Sequence, residues 1–461
     1  MNTLEAALET FLHEFESDSL TDADRDAARA LLADQLGLQV GLSTLPWSEA
    51  AADAALRTAP DGNATIAGSG VRVDPQTAAY CNATFAHGFE YDDAHSASDG
   101  HPGSVVASTA LALAEAEDRT IEEAVIALVA GYEVYTRLGA VLSPHALEHG
   151  WHPHALLAPF GAAATALALG DDDRETISNA LAIAASHGSA STEYSSTGGS
   201  VKRVHAGIGA RDGIQSVALA RAGVTGPERY LGGNKGLLSV YADVDPPGGE
   251  AFSRNRLEIH DTWFKLHSCC GCTHAYLDCL AAIDPDPDDV ERVTARLQPS
   301  SDRIVGTQNE NLYAPRSIEE AQFNLPFALA LALSGIGTDV RAYRSFVTGE
   351  RDYDDPALRA TMERIDLEVD PDMARYAPAF VGDLTVHYAD GTTADAFVEH
   401  TRGTPDNPAT ESDRREKFDA LAEPIIGAER TARLWDHAID APCETPVRSF
   451  RPLLEPPASD R

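Results

Sequence analysis

The feature that most restricts the fold is a change of hydrophobic period part-way along the chain. Up to about residue 255, alanine-rich apolar runs recur at helical spacing, cut by Gly, Pro and Asp. SVVASTALALAEAE, from Ser104 to Glu117, reads as a buried helix, and Thr120 opens the next with a T-x-x-E capping box closed by Glu123. ETISNALAIAAS follows an Asp-rich first turn that suits a helix dipole. After about residue 262, RVTARLQP and DLTVHYADGTTADAFVEH alternate as strands do, the second around Asp390-Gly391, a hairpin-turn pair. AQFNLPFALALAL and DPALRATMERI read as helices between them, and ESDRREKFDALAEPI returns to the helical period. A chain of 461 residues is too long for one ordinary core. The pattern predicts a mainly α protein with an α+β part: a helical domain over 1–262 and a smaller α+β domain over 263–411, with the helical segment 412–461 free to rejoin the first.

Charge narrows the partners. The net charge is −37, from 72 acidic against 35 basic residues, with the acids scattered along the whole length. Such a surface suits molar salt, where the Debye length is about 3 Å and self-repulsion is screened, and it predicts a halophilic source. Nucleic acid and anionic membranes are excluded as partners, because binding them relies on Lys and Arg neutralising phosphates. The N-terminus, MNTLEAALETFLHEF, lacks the basic n-region and apolar h-region of a signal peptide, and no run of 18 apolar residues is found, so a cytoplasmic protein is expected. Six cysteines, at 81, 269, 270, 272, 279 and 443, form a cluster plus strays, which suits a reducing compartment.

Four places concentrate ionisable residues in apolar or glycine-rich surroundings. CNATFAHGFEYDDAHSASDGHPGS carries Glu90, Asp92, Asp93, His95 and His101; GWHPHALLAPFG carries His152 and His154 just before an apolar helix. Adjacent histidines and carboxylates are how general acids and bases are oriented and tuned. The third and fourth places, STGGSVKRVHAG and WFKLHSCCGCTH, each hold one lysine, in a chain whose only lysines are 202, 235, 265 and 417. Retaining Lys202 and Lys265 where surface lysine has been discarded points to a task, such as holding a substrate carboxylate as a compact charge. Taken singly, His87, His205 and His267 read as structural.

His267, Cys269, Cys270, Cys272 and His274 look superficially like metal ligands. Structural zinc wants paired C-x-x-C units or a Cys pair with a later H-x-x-x-H, and iron–sulfur sites want several spaced thiolates; neither pattern is present, so no metal is expected. No G-x-G-x-x-G, G-x-x-x-x-G-K or G-x-S-x-G occurs, which argues against nucleotide cofactors and serine hydrolase chemistry. No cofactor is expected.

At these same places the chain resembles the MmgE/PrpD family. NATFAHGFEYDDAHSASDGHPGSVVASTALALAE is similar to the family's acidic signature leading through HP into a helix, and GYEVYTRLG, GWHPHALLAPFGAAAT, SVKRVHAGIGARDGI, KLHSCCGCTHAYLD and AQFNLPFALA match the next landmarks in order. The resemblance implies the MmgE/PrpD fold, with a large helical bundle domain completed by the C-terminal segment 412–461, a smaller α+β lid domain inserted into it, the active site in the cleft, and a homodimer. Carried over residue by residue, it places Glu90, Asp92 and Asp93 on the acidic motif, and His101 and His152 on two active-site histidines. Lys202 and Lys265 fall on pocket lysines, and His95, Cys270 and His274 complete the implied substrate-binding set. Glu90 stands where aspartate is common and Ala94 where a hydroxyl residue is usual. Cys270 agrees with a dehydratase-like CC pattern, and Phe327 sits where decarboxylases of the family carry an active-site tyrosine.

The resemblance therefore implies a metal-independent lyase, a dehydratase of a small di- or tricarboxylate such as 2-methylcitrate. In this scheme Lys202 and Lys265 clamp carboxylates, one of His101 and His152 is the base, the other or a carboxylate-oriented partner is the acid, and Asp92-Asp93 position His101. Decarboxylation of a cis-aconitate-like acid, cofactor-independent epimerisation, and a non-catalytic carboxylate-binding protein are the alternatives.

Overall fold

A computed structural model describes residues 3–143, 145–194, 198–252 and 256–457. Ser196 and Thr197 of the glycine-rich stretch before Lys202 lie outside the described residues. Two hydrophobic cores organise the molecule. The first draws on residues from Leu4 to Ile259, mostly helical, and on the C-terminal segment from Phe418 to Leu454. The second is built mainly from Cys269 to Val386, but Leu38, Leu42, Leu45, Ala86, Phe89, Tyr91 and Leu421 also enter it.

The apolar patterns form the elements expected of them. Thr120 caps the helix Ile121–Leu142 with its side chain on the Glu123 amide, while Glu123 accepts from the Thr120 amide in return. By length and mean apolarity this helix is sufficient to cross a membrane; most of it is buried, and it carries the internal pair Glu133–Arg137 at 2.8 Å. In the second region a four-stranded sheet runs Ile365–Val369, Val290–Leu297, Gly382–Tyr388, Thr393–Val398. The first pair is parallel and the others antiparallel, and Gly391 turns the last hairpin in the left-handed conformation that Asp-Gly allows. AQFNLPFALALAL is not one helix: Ile318–Gln322 stops, and Asn324 caps Leu325–Leu333 by accepting from the Phe327 amide.

Three helices that surround the site begin with proline at their first position: Pro75–His87, Pro102–Ala116 and Pro153–Ala168. Proline fits a helix start but drives the residue before it out of the helical region. His101 and His152 are those preceding residues, so the two His-Pro pairs set both rings at helix N-termini. The C-terminal helix Glu411–Ile426 packs on Asp22–Gly41. There, buried Lys417 pairs with Asp34 at 2.7 Å and donates to the Tyr91 carbonyl, tying the chain's end to the acidic turn.

Candidate active site

The acidic turn is held from both sides. Phe89 and Tyr91 point into the second core, and Glu90 between them adopts a left-handed backbone, φ +54°. A non-glycine residue holds this conformation only where the surroundings over-determine it. Here Gln322 donates to the Phe89 carbonyl at 2.7 Å and Ser268 at 2.9 Å, so residues of the second region clamp the turn of the first. The Glu90 carboxylate is thereby delivered to Lys202, which it contacts directly, and to Lys265 at 3.5 Å. Burial opposes its ionisation, yet the two ammonium groups hold the carboxyl well below the usual range. Burial likewise works against charge on Lys265, and Glu90 followed by Asp92 raises it above its ordinary value. Two buried cations thus share one directly bound carboxylate.

Beside them lie five histidines: His87, His101, His152, His154 and His205. His87 and His154 stack with ring centres 4.3 Å apart, and His101 is 5.4 Å from His87. His101 Nδ1 lies 2.8 Å from the Asp93 carbonyl, an acceptor only, so Nδ1 carries the hydrogen and Nε2 keeps a free lone pair. Burial lowers its pKa to about 3, with Lys265 and Lys202 adding to the effect and Asp92 opposing it. His152 and His205 meet nitrogen to nitrogen at 2.9 Å, which requires one to donate and one to accept. Burial, with Lys202 next, holds His152 well below its ordinary value, and burial lowers His205 to about 4. Burial thus holds His101, His152 and His205 toward the neutral form.

The two aspartates separate in role. Asp92 accepts from His87 Nδ1 at 2.8 Å and stands 3.7 Å from His101 Nδ1. Burial opposes its charge, but the neighbouring rings bring its carboxyl down to about 2. The Asp93 side chain turns away, accepting from Gly103 N at 3.1 Å, Tyr132 Oη at 3.0 Å and Gln35 Nε2 at 3.0 Å. Burial, with Asp92 and Asp34 near, pushes it up to about 8. It anchors the start of Pro102–Ala116 and reaches His101 only through its carbonyl.

His95 bonds Ser98 at 3.1 Å and lies 3.5 Å from Glu258, facing the Arg137 network rather than the lysines. Cys270 caps Gly271–Ile283 beside Lys265, and its thiol is lowered by a bond to Cys272, with Lys265 assisting against burial. His274 is fully buried against Trp263 and His267, its Nε2 3.3 Å from the Cys269 carbonyl. Phe327 is enclosed by Tyr343, Phe346 and Tyr353. Phe323 lies beside the lysines, its ring 5.3 Å from Lys202 Nζ. Among the described residues no group of three or more His, Cys, Asp or Glu side chains is arranged to hold a metal ion.

Residues not singled out in the sequence join the site. Tyr135 lies 2.7 Å from His154 Nδ1 and accepts from the His101 amide, and Tyr194 packs edge-on to His152. Arg203, next to Lys202, stacks its guanidinium 3.8 Å over Trp47 and binds Glu319, joining the two regions.

Arranged in this way, the site offers cationic anchors for carboxylates and imidazoles held toward their neutral, single-proton form. Comparison with known proteins gives the family. The MmgE/PrpD N-terminal domain model matches residues 6–249 and the MmgE/PrpD C-terminal domain model residues 267–440. A cis-aconitate decarboxylase-like protein of Aspergillus oryzae is 26% identical over 463 residues, covering 93% of this chain and 92% of the relative. Human cis-aconitate decarboxylase is 25% identical over 450 residues, covering 92% and 89%. A cis-aconitate decarboxylase of Aspergillus terreus is 30% identical over 281 residues, covering 57% and 56%. With both domain models matched in order along most of its length, the chain belongs to the MmgE/PrpD family.

Proposed function

We propose that this chain is a lyase acting on a small di- or tricarboxylate, eliminating water from a 3-hydroxy acid of the 2-methylcitrate type. The observation that carries the reading is His101: a neutral ring with its free Nε2 lone pair set beside two buried lysines. Elimination begins by removing a weakly acidic proton next to a carboxylate, and the charge that develops on that carboxylate needs fixed cations. Lys202 and Lys265 supply them. His101 takes the proton, and an arriving polyanion favours this, because negative charge near the ring raises its affinity for protons. His152, paired with His205, lines the opposite side of the histidine group. Like its relatives as the resemblance implies, the chain works as a homodimer, which light scattering in solution tests.

A second reading, decarboxylation of a cis-aconitate-like acid, is favoured by the relatives named decarboxylases that align over nine-tenths of the chain. Proton NMR of the enzyme with 2-methylcitrate, citrate and cis-aconitate in deuterium oxide separates the two. An alkene product, or its hydration partner, is the expected result; loss of carbon dioxide transfers the assignment to the decarboxylase, and deuterium exchange without net change to an epimerase. Binding without any turnover marks a carboxylate-binding protein.

A further inference from the structure

Within the histidine group beside the lysines, the ring hydrogen-bonded to a carboxylate is His87, which the sequence offers only as a structural ring. Its Nδ1 lies 2.8 Å from Asp92 Oδ2, and both side chains are buried. An ionised carboxylate accepts only, so Nδ1 carries the hydrogen and Nε2 is the atom left to exchange a proton. Among the described residues, His87 Nε2 and His154 Nε2 have no hydrogen-bond partner. Leaving a buried polar atom unpaired costs about 1–3 kcal/mol, so two such atoms side by side call for a ligand.

Their direction follows from the partners of the other ring nitrogens. The two rings are nearly parallel, 16° apart. His87 Nδ1 faces Asp92 and His154 Nδ1 faces Tyr135, and both Asp92 and Tyr135 adjoin His101. The Nε2 edges therefore turn away from Asp92 and Tyr135, and His152, with its ring centre 5.6 Å from His154 and 6.4 Å from His87, is the further ring of the group beside them. Lys202 acts on His152 and His154 as well as on His101, so the lysines neighbour both ends of the histidine group.

The geometry points to His87, oriented by Asp92, as the acid that protonates the leaving hydroxyl, with His154 beside it as a second donor to that oxygen. This rests on the lyase reading above and names the group missing from it. In the step, His101 Nε2 takes the proton from the carbon next to the carboxylate, and the C–H electron pair becomes the new C=C bond. The C–O bond breaks with its pair going to oxygen, and protonated His87 gives its Nε2 proton to that oxygen, which departs as water. Both rings regain their starting protonation by exchange with solvent. Asp92 is a positioning residue: it fixes the His87 tautomer and stabilises the charged ring.

The test compares a hydroxy acid with its analogue carrying chlorine in place of the hydroxyl, since chloride leaves without a proton. In His87→Gln, kcat on the hydroxy acid falls about 100-fold or more with KM little changed, as loss of a general acid does, while chloride elimination stays within about tenfold of the unaltered enzyme. Asp92→Asn shows the same contrast and serves where His87→Gln does not fold. His101→Gln loses both activities, because proton abstraction precedes either departure. Equal losses on the two substrates in His87→Gln, or a loss below about tenfold on the hydroxy acid, overturn the assignment of His87 alone. An unaltered enzyme that releases no water from any hydroxy acid overturns the dehydratase reading, and this inference with it.

Discussion

Two buried lysine sites lie on either side of the acidic turn and differ in stoichiometry. Lys417 meets one carboxylate, Asp34, at 2.7 Å and one carbonyl, that of Tyr91. Lys202 and Lys265 instead share the single carboxylate of Glu90, with Asp92 contributing from further off. A cation with its own anion and carbonyl is complete and serves as a fastener. Two cations sharing one close carboxylate can take up a ligand's charge, and on that difference we propose the second site as the functional one. The Glu90–Tyr91 segment carries both lessons, since Tyr91 is fastened below while Glu90 is offered above.

Acid gives the largest expected effect, and it falls on the functional side. Burial lowers His101 to about 3 and His205 to about 4, and holds His152, His154 and His274 well below their ordinary value. An unfolded chain takes up protons on these rings as pH falls through about 6.5, whereas the folded chain does not until lower pH. Stability present above that value is therefore lost on acidification, by up to about 1.4 kcal/mol per pH unit for each proton taken up on unfolding. Asp93 has the opposite sign: its folded pKa, about 8, is raised, so its contribution is lost as pH rises. Glu133, raised to about 7 by burial, and Asp99, raised to about 6, act in the same sense as Asp93, so the five rings are partly offset near pH 7, and urea unfolding at pH 7, 6, 5 and 4 is expected to show a fall that steepens below pH 6.

Next in size is the fastener. Lys417→Met leaves Asp34 charged and buried, which costs about 3–5 kcal/mol and should appear as a large drop in Tm. Replacing Lys417 and Asp34 together by apolar residues should recover most of that loss. Lys265→Met reverses the pattern: the fold persists, while kcat/KM falls about 10²–10³-fold, the scale of losing one preorganised electrostatic donor. A Lys265→Met protein that melts early but turns over normally would erase the distinction between the two sites. Smaller again is Gly103→Ala. An added Cβ would stand 2.4 Å from Tyr132 Oη and 2.5 Å from Asp93 Oδ1, a conflict worth about 1–3 kcal/mol in a packed interior. Differential scanning calorimetry reads it.

What the sequence made legible follows from distance along the chain. The helical period, the Thr120 box and the Asp390-Gly391 hairpin are local, and all three appear in the structure. Lysine scarcity exposed Lys202 and Lys265 because composition needs no coordinates. Lys417 was equally scarce, yet its partner Asp34 lies near the other end of the chain, so nothing nearby marked its burial. The histidine group escaped for a related reason: His87 ends one helix, His101 and His152 precede two others, and His205 begins a fourth. Taken singly, His87 and His205 carried no sign of company. Adjacent Asp92 and Asp93 looked like one unit, but the turn points one side chain at His87 and the other at a helix start.

The most direct test of the shared-carboxylate claim is calorimetric titration with a tricarboxylate that has no hydroxyl to lose, applied to the unaltered chain, Lys202→Met and Glu90→Gln. The expected order is Glu90→Gln tightest, the unaltered chain intermediate and Lys202→Met weakest, with about tenfold or more between the extremes. The same affinity in all three proteins, or weaker binding in Glu90→Gln, would contradict the claim that Lys202 and Lys265 hold a polycarboxylate in place of Glu90.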